Sequence, residues 1–206
     1  NYIEQTEQLG TGHAVQQALP HLDGESTTLI LYGDVPLISA QTLEDLLGKV
    51  SDSSMGLLTL VMDNPTGYGR IVRNTENKVT AIVEQKDASP EQQAIKEVNT
   101  GVMAVATNDL QRWLPQLSDD NAQKEYLLTD IIAMADSDGI SIETAHPGSE
   151  AEVLGVNNRL QQAELERIYQ QQIAEELMTQ GATLLDPARF DCRGSLKVGR
   201  DCVIDV

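Results

Sequence analysis

Residues 27–34 read Thr27-Thr28-Leu29-Ile30-Leu31-Tyr32-Gly33-Asp34, and this stretch decides the fold. β-branched and aliphatic residues run without a break and are followed by Gly33 and Asp34, which are typical turn residues. Such a run predicts a strand that is buried on both faces, as in a parallel sheet. Because ligands of open α/β sheets bind at the carboxyl ends of the strands, we expect Asp34 to lie at a binding edge.

The segments on either side of this strand extend the same pattern. The spacing of apolar residues predicts a helix over 11–22 and another over 42–47, for which Ser39 is a good N-cap. Residues 55–62 form a second apolar run and predict a second buried strand. The order helix, strand, helix, strand predicts an α/β fold.

The rest of the chain divides into a strand-rich middle and a long helix. Turn residues 74–77 separate two β-rich runs and predict a hairpin. Beyond it, the patterns predict strands over 98–106 and 140–145 and helices over 108–117 and 126–135. A longer helical pattern starts at Asn157 and reaches Gln180, where Gly181 is a natural stop, and we interpret it as an arm. Residues 196–206 are typical of the start of a left-handed parallel β-helix.

Composition excludes several classes of protein. The chain has 206 residues, 14 basic and 32 acidic, and a formal net charge of −18. Nucleic-acid polymers and anionic membranes are bound by Lys and Arg, so such partners are not expected. No apolar run approaches the ~20 residues that span a bilayer. No signal-peptide pattern is present, and we expect a cytoplasmic protein.

Candidate site residues have a structural alternative in each case. Asp34 after Gly33 offers a hard oxygen for Mg²⁺, and the alternative is an ordinary turn. Gly10-Thr11-Gly12 at a helix start offers N–H groups to an anion or a base edge, or Thr11 simply caps the helix. A carboxylate and an amide, Glu84 and Asn99, suit sugar hydroxyls, although either could be a surface residue. Asn157 is either a cap or a Mg²⁺ ligand.

Eight motifs, in this order, give the chain a family resemblance. They are Gln5 with Leu9-Gly10-Thr11-Gly12-His13-Ala14, Leu31-Tyr32-Gly33-Asp34-Val35-Pro36-Leu37, Pro65-Thr66-Gly67-Tyr68-Gly69-Arg70-Ile71, Ile82-Val83-Glu84-Gln85-Lys86-Asp87-Ala88, Val98-Asn99-Thr100-Gly101, Glu125-Tyr126 with Thr129-Asp130, Gly155-Val156-Asn157-Asn158-Arg159 and Asp186-Pro187-Ala188-Arg189-Phe190-Asp191. The whole chain thereby resembles the bacterial bifunctional N-acetylglucosamine-1-phosphate uridyltransferase / glucosamine-1-phosphate acetyltransferase family. Each motif is weak alone, but their order and spacing together are highly specific.

The resemblance implies a role for each matched residue. Gln5 and the backbone of Gly10 and Thr11 would recognise the uracil of UTP. Tyr32, Gly33 and Asp34 would line the nucleotide-sugar site. The N-acetylglucosamine would be held by Gly69, Glu84 and Asn99. Asp34, the expected catalytic residue, and Asn157 would be the protein ligands of Mg²⁺.

The resemblance also implies an activity and a domain order. The reaction is UTP plus N-acetylglucosamine 1-phosphate giving UDP-N-acetylglucosamine and pyrophosphate, for peptidoglycan and lipopolysaccharide synthesis. The implied fold is a Rossmann-like nucleotidyltransferase sheet over 1–159, truncated at its N-terminus. A linker arm helix over 160–180 and the start of the acetyltransferase β-helix over 181–206 follow. A full-length parent would use acetyl-CoA as well and form a homotrimer.

In the family, a glycine-rich segment with basic residues holds the triphosphate. This sequence has no such segment, and its first Lys or Arg is Lys49. We therefore expect this chain to be an inactive fragment when alone. Two alternatives stay open: another sugar-1-phosphate nucleotidyltransferase, or a non-catalytic oligomerisation or binding module.

Overall fold

The computed structural model describes residues 2–205, which form two compact units. Among the described residues, the first unit contains 2–32 and 39–148, and the second contains 33–38 and 149–205. The first unit comprises α1 (Thr11–Ala18), β1 (Thr27–Ile30), α2 (Ala40–Leu47), β2 (Ser54–Val61), β3 (Arg70–Arg73), β4 (Val79–Val83), α3 (Pro90–Gln93), β5 (Glu97–Ala106), α4 (Thr107–Trp113), α5 (Ile131–Ser137) and β6 (Ser141–Ala145). The second comprises α6 (Arg159–Thr179), β7 (Thr183–Leu184) and β8 (Val203–Ile204).

The sheet of the first unit is built around β5. Along it the strand order is β4-β3-β5-β2-β6, and β1 pairs with β5 off this path. β3 meets one end of β5 through Arg70 and Val98, whereas β1 meets the other end, where Ile30 pairs with Met103. Only β2 and β6 run parallel; the other pairs are antiparallel. The predicted α/β alternation is therefore present, with a mixed sheet.

The prediction for the first strand was wrong in one respect. β1 is not buried on both faces of a parallel sheet: it pairs antiparallel with β5 alone among the described residues, and burial increases along it from exposed Thr27 to buried Ile30. Leu31, just beyond it, is 44% exposed. Strand β5 is buried almost throughout, and strands pair with it along both edges.

A single apolar core lies within this unit. Its largest side chains are those of Trp113, Met55, Leu57 and Met103, all almost fully buried. As predicted, Ser39 caps α2, and its hydroxyl accepts a hydrogen bond from the Thr42 N–H at 3.1 Å. Burying apolar area of this kind supplies most of the free energy that favours folding.

The helix predicted over 126–135 begins later than its sequence pattern suggests. Tyr126 and Leu127 are not helical, a short 3₁₀ turn covers Leu128–Asp130, and α5 follows. The Tyr126 N–H donates to the Leu9 carbonyl at 2.8 Å, and the Tyr126 carbonyl accepts from the Gly12 N–H at 2.8 Å. A backbone that pairs on both sides in this way is not available to a helix.

The second unit contains the long helix that the sequence predicts. Asn158 caps α6, accepting from the N–H groups of Leu160 and Gln161. Gly181 ends the helix with a φ of +105°, a conformation that glycine adopts readily. β7 and β8 form a two-stranded parallel sheet after it. The arm role of α6, the β-helix and the three-part domain division stay predictions.

We find no helix in residues 2–205 with the length and apolar character needed to cross a membrane.

Candidate functional site

Gly69, Glu84 and Asn99 lie together in the first unit. The Asn99 N–H donates to the Gly69 carbonyl at 2.9 Å. A Cβ atom added at Gly69 would lie 2.9 Å from Ile82 Cγ2 and 3.3 Å from Glu84 Oε1, so only glycine lets the loop approach β4 this closely. The structure thus joins three residues that are spread over thirty positions of the sequence.

The side chain of Asn99 is held in one orientation. Its Oδ1 accepts a hydrogen bond from the Gly101 N–H at 2.9 Å, which assigns the oxygen and nitrogen ends of the amide. Its amide nitrogen makes no hydrogen bond to residues 2–205. Asn99 is only 9% exposed, so this nitrogen is a fixed donor at a mostly buried position. Such a group suits one hydroxyl or carbonyl of a ligand.

The carboxylate of Glu84 is the complementary acceptor. Its Oε1 accepts from the Thr129 hydroxyl at 3.2 Å. Burial raises the pKa of Glu84, and the nearby charges of Asp87 and Asp130 raise it further, whereas the Thr129 hydrogen bond opposes them. Hydrogen bonds from the hydroxyl groups of a ligand would stabilise the ionised form of a carboxylate that is kept from full hydration.

Tyr32 packs on this group of residues through Gly101. A Cβ atom at Gly101 would fall inside the Tyr32 ring, and the φ of Gly101 is +82°. Both facts require glycine here. Since Gly101 also donates to Asn99, the Tyr32 ring and the Asn99 amide are positioned by the same residue.

Gln5, Gly10 and Thr11 form a second group in the same unit. The Gln5 side-chain amide donates to the Gly10 carbonyl at 3.2 Å and lies 3.0 Å from His13 Nδ1. The Thr11 hydroxyl accepts from the Leu128 N–H at 3.1 Å. Thr11 therefore does not cap α1, whose N-cap is Gly10. The N–H groups of this turn are not all free as expected, because Gly12 donates to Tyr126.

One short segment connects the two groups of residues. Tyr126 pairs with the turn before α1, Leu128 donates to Thr11, and the next residue, Thr129, donates to Glu84. This segment belongs to one of the eight motifs, but the resemblance implies no role for it. Thr129 is 7% exposed and would have been found only through its contact with Glu84, 45 positions away.

Asp34 and Asn157 both belong to the second unit, which also contains Gly33. The Asp34 carbonyl accepts from the Val156 N–H at 2.9 Å, and a Cβ atom at Gly155 would lie 3.5 Å from Asp34 Oδ2. Asp34 and Asn157 are both exposed. Asn158, and not Asn157, caps α6. The Asn157 backbone N–H donates to Gln161, and its side chain makes no hydrogen bond to the described residues.

This pair of residues fits a magnesium ion. Mg²⁺ takes one or two protein oxygens and completes its shell with water and phosphate oxygens. The exposed carboxylate of Asp34 and the exposed amide of Asn157, the residue that follows Val156, would supply two such oxygens. Residues 2–205 contain no cluster of three or more acidic, His or Cys side chains that could hold a metal by themselves. A metal ion at Asp34 would therefore also need oxygens from water or from the phosphate groups of a bound substrate.

Comparison with known proteins identifies the family. A family model described as "Nucleotidyl transferase" matches residues 1–143. The "Bifunctional protein GlmU" of Saccharophagus degradans is 73% identical over 206 residues, covering 100% of this chain and 46% of that protein. The protein of the same name from Cellvibrio japonicus is 62% identical over 205 residues, covering 100% of this chain and 45% of that protein. The chain therefore spans less than half the length of these relatives.

A solved structure shows the same fold at much lower identity. A UDP-glucose pyrophosphorylase complexed with UDP-glucose superposes with a TM-score of 0.57 at 16% identity, covering 74% of this chain and 62% of that one. At this identity the likeness shows the fold alone, and it confirms the predicted nucleotidyltransferase α/β fold. With the family model matching most of its length, the chain belongs to the nucleotidyl transferase family.

Proposed function

We propose that this chain is part of a uridyltransferase that joins UTP and N-acetylglucosamine 1-phosphate into UDP-N-acetylglucosamine and pyrophosphate. The observation that carries the proposal is the continuous set of contacts through residues 126–129. These contacts join the residues expected to read a base to those expected to hold a sugar. Membership of the nucleotidyl transferase family and the relatives named GlmU support the same reaction class.

The proposed substrate contacts follow from the donors and acceptors described. Gln5 with the backbone of Gly10 and Thr11 reads the uracil edge, with Tyr32 and Gly33 beside the nucleotide sugar. The Asn99 amide nitrogen donates to the sugar, and the Glu84 carboxylate accepts from its hydroxyls. Gly69 contributes its close-packed backbone. Because Gly69 has no Cβ, its backbone lies close to Ile82 and Glu84.

The chemistry requires no side-chain nucleophile. An oxygen of the sugar phosphate attacks the α-phosphorus of UTP in line, the bond to the β-phosphate bridge oxygen breaks, and pyrophosphate leaves. Side chains contribute by holding the two substrates in line, which replaces a bimolecular encounter by an oriented one. Asp34 and Asn157 would hold Mg²⁺, which neutralises phosphate charge when it is bound.

The wider assignments belong to the same proposal. A cytoplasmic location, a role in cell-wall precursor synthesis, an acetyl-CoA-dependent second activity and a trimeric parent all follow from the GlmU resemblance. They concern the full-length gene product.

The test is the turnover of the full-length gene product with Asp34→Ala. We expect kcat to fall by about a hundredfold to a thousandfold, as when one electrostatic stabiliser is removed. The apparent affinity for Mg²⁺ should fall as well. Asp52→Ala is the matched control, since Asp52 is an exposed carboxylate in the turn before β2.

Undiminished turnover in Asp34→Ala would contradict the metal assignment. Calorimetric titration of the wild type with UDP-N-acetylglucosamine tests the binding-module alternative. We expect heat of binding, whereas a scaffold without a nucleotide-sugar site would release none.

A further inference from the structure

Arg70, the first residue of β3, is buried without an acidic partner. It is 1% exposed, and no carboxylate of residues 2–205 forms an ion pair with it. Its Nη1 donates to the Tyr68 carbonyl and its Nη2 to Gln85 Oε1 at 2.6 Å. Its Nε, also buried, has no hydrogen-bond partner.

A buried cation of this kind is costly for folding. Removing a guanidinium from water carries a large desolvation penalty, which two neutral oxygens offset only in part. A packed aliphatic side chain would fill the position at lower cost. The cost indicates a role for the planar guanidinium of Arg70, whose N–H groups point at two acceptors in fixed directions, unlike the compact, freely rotating ammonium of a lysine.

Both acceptors of Arg70 belong to the surroundings of the proposed sugar site. Tyr68 lies in the loop of residues 64–69, here called the glycine loop. Gln85 directly follows Glu84 at the end of β4. Gln85 Oε1 also accepts from the Gly67 N–H at 3.3 Å, so the same oxygen holds the glycine loop and Arg70. The fork and the amide together fasten the loop to the end of β4.

This fastening fixes the separation of the sugar-binding groups. The glycine loop ends at Gly69, whose carbonyl accepts from the Asn99 N–H and where an added Cβ would lie 3.3 Å from Glu84 Oε1. We infer that Arg70 and Gln85 are positioning residues, which hold Gly69, Glu84 and Asn99 at the spacing that a sugar phosphate requires. The inference rests on the proposed function, which supplies the sugar phosphate as ligand.

The test replaces Gln85 in the full-length gene product, since Arg70 variants risk misfolding. Gln85→Ala removes the shared acceptor. We expect the KM for N-acetylglucosamine 1-phosphate to rise by about tenfold or more through misplaced contacts, while the KM for UTP stays unchanged. Gln85→Glu keeps the acceptor oxygen and adds a charge-assisted bond to Arg70, so it should stay within about threefold of wild type.

A control variant and a second measurement separate positioning from general stability. Gln41→Ala removes a surface glutamine that donates to Asp45 on α2, and it should change neither KM. Amide hydrogen exchange in Gln85→Ala should quicken at Gly67, whose N–H donates to Gln85, and at Asn99, whose N–H donates to the glycine loop at Gly69. An unchanged KM for the sugar phosphate in active Gln85→Ala would overturn the inference.

Failure of the proposed function would be visible separately. If the wild type shows neither turnover nor binding of N-acetylglucosamine 1-phosphate, the proposed function is wrong. Hydrogen exchange then tests by itself whether Gln85 attaches the glycine loop to the end of β4. Faster exchange at Gly67 and Asn99 in Gln85→Ala supports it, and unchanged exchange overturns it.

Discussion

At the scale of single residues, the ionised carboxylate of Glu84 lowers the stability of the fold but can bind ligand hydroxyls. Burial and the neighbouring charges of Asp87 and Asp130 raise the pKa of Glu84, so the folded state favours its protonated form. A raised acid pKa stabilises the fold at low pH, and this contribution is lost as the pH rises through the folded pKa. At neutral pH the ionised carboxylate therefore destabilises the fold while it remains available to ligand hydroxyls.

Replacing Glu84 by Gln should separate these two effects. Glu84→Gln removes the charge, so we expect a higher urea midpoint than wild type at about pH 8 and little difference at about pH 4. Binding of N-acetylglucosamine 1-phosphate should weaken by about tenfold, because a charged acceptor is lost. Urea unfolding at both pH values and calorimetry measure the two outcomes.

Glu76→Gln is the matched control. Its Lys78 partner, through a hydrogen bond and its charge, lowers the pKa of Glu76, which is fully exposed. Neutralising Glu76 should therefore not raise the midpoint at about pH 8, and sugar binding should be unchanged. A lower midpoint for Glu84→Gln than for wild type at neutral pH would show that the Glu84 carboxylate is stabilising.

At the scale of elements, a polar network joins four strands. Arg73 on β3 donates to both oxygens of Glu97 on β5, at 2.8 and 2.7 Å, and to the Thr144 hydroxyl on β6 at 3.4 Å. The Thr59 hydroxyl on β2 donates to Glu97 at 2.9 Å. Burial alone would raise the pKa of Glu97, but the hydrogen bonds from Arg73 and Thr59, with the charges of Arg73 and His146, lower it.

Breaking this network should destabilise the sheet in a pH-dependent way. Glu97→Gln leaves the half-buried Arg73 without its carboxylate, and we expect a loss of about 1–3 kcal/mol at pH 7. A lowered acid pKa stabilises above the unfolded pKa, and this stability is lost as the pH falls through the folded pKa. The difference between Glu97→Gln and wild type should therefore shrink in acid. Urea midpoints measured down the acid range test this, and an equal difference at every pH would contradict it.

The elements also show how far local pattern predicts structure. The hairpin, the long helix, its stop at Gly181 and the Ser39 cap were predicted because each depends on residues within a few positions. The antiparallel pairing of β1 and the extended backbone at Tyr126 were not, since both are set by partners distant in the chain. The expected sugar residues were named through resemblance. Their common surroundings, Thr129 above all, appear only in three dimensions.

At the scale of the whole molecule, the negative net charge of the chain repels a polyphosphate substrate. The net charge is −18, and none of the first 48 residues is Lys or Arg. Arg70 is buried and Arg73 is paired with Glu97, so neither is an open phosphate ligand in this structure. We propose that a divalent cation at Asp34 and Asn157 neutralises part of the phosphate charge. The inactivity of the chain by itself stays a prediction.

Pyrophosphate release by the full-length gene product with paired substrates tests the proposed uridyltransferase activity and its substrate preference together. UTP and dTTP are each combined with N-acetylglucosamine 1-phosphate and with glucose 1-phosphate, in the presence of Mg²⁺. We predict that kcat/KM for UTP with N-acetylglucosamine 1-phosphate exceeds each other pair by about a hundredfold or more, since a site built to hydrogen-bond a group rejects ligands without it. Equal turnover with dTTP or glucose 1-phosphate, or no pyrophosphate release with any pair, would contradict the account.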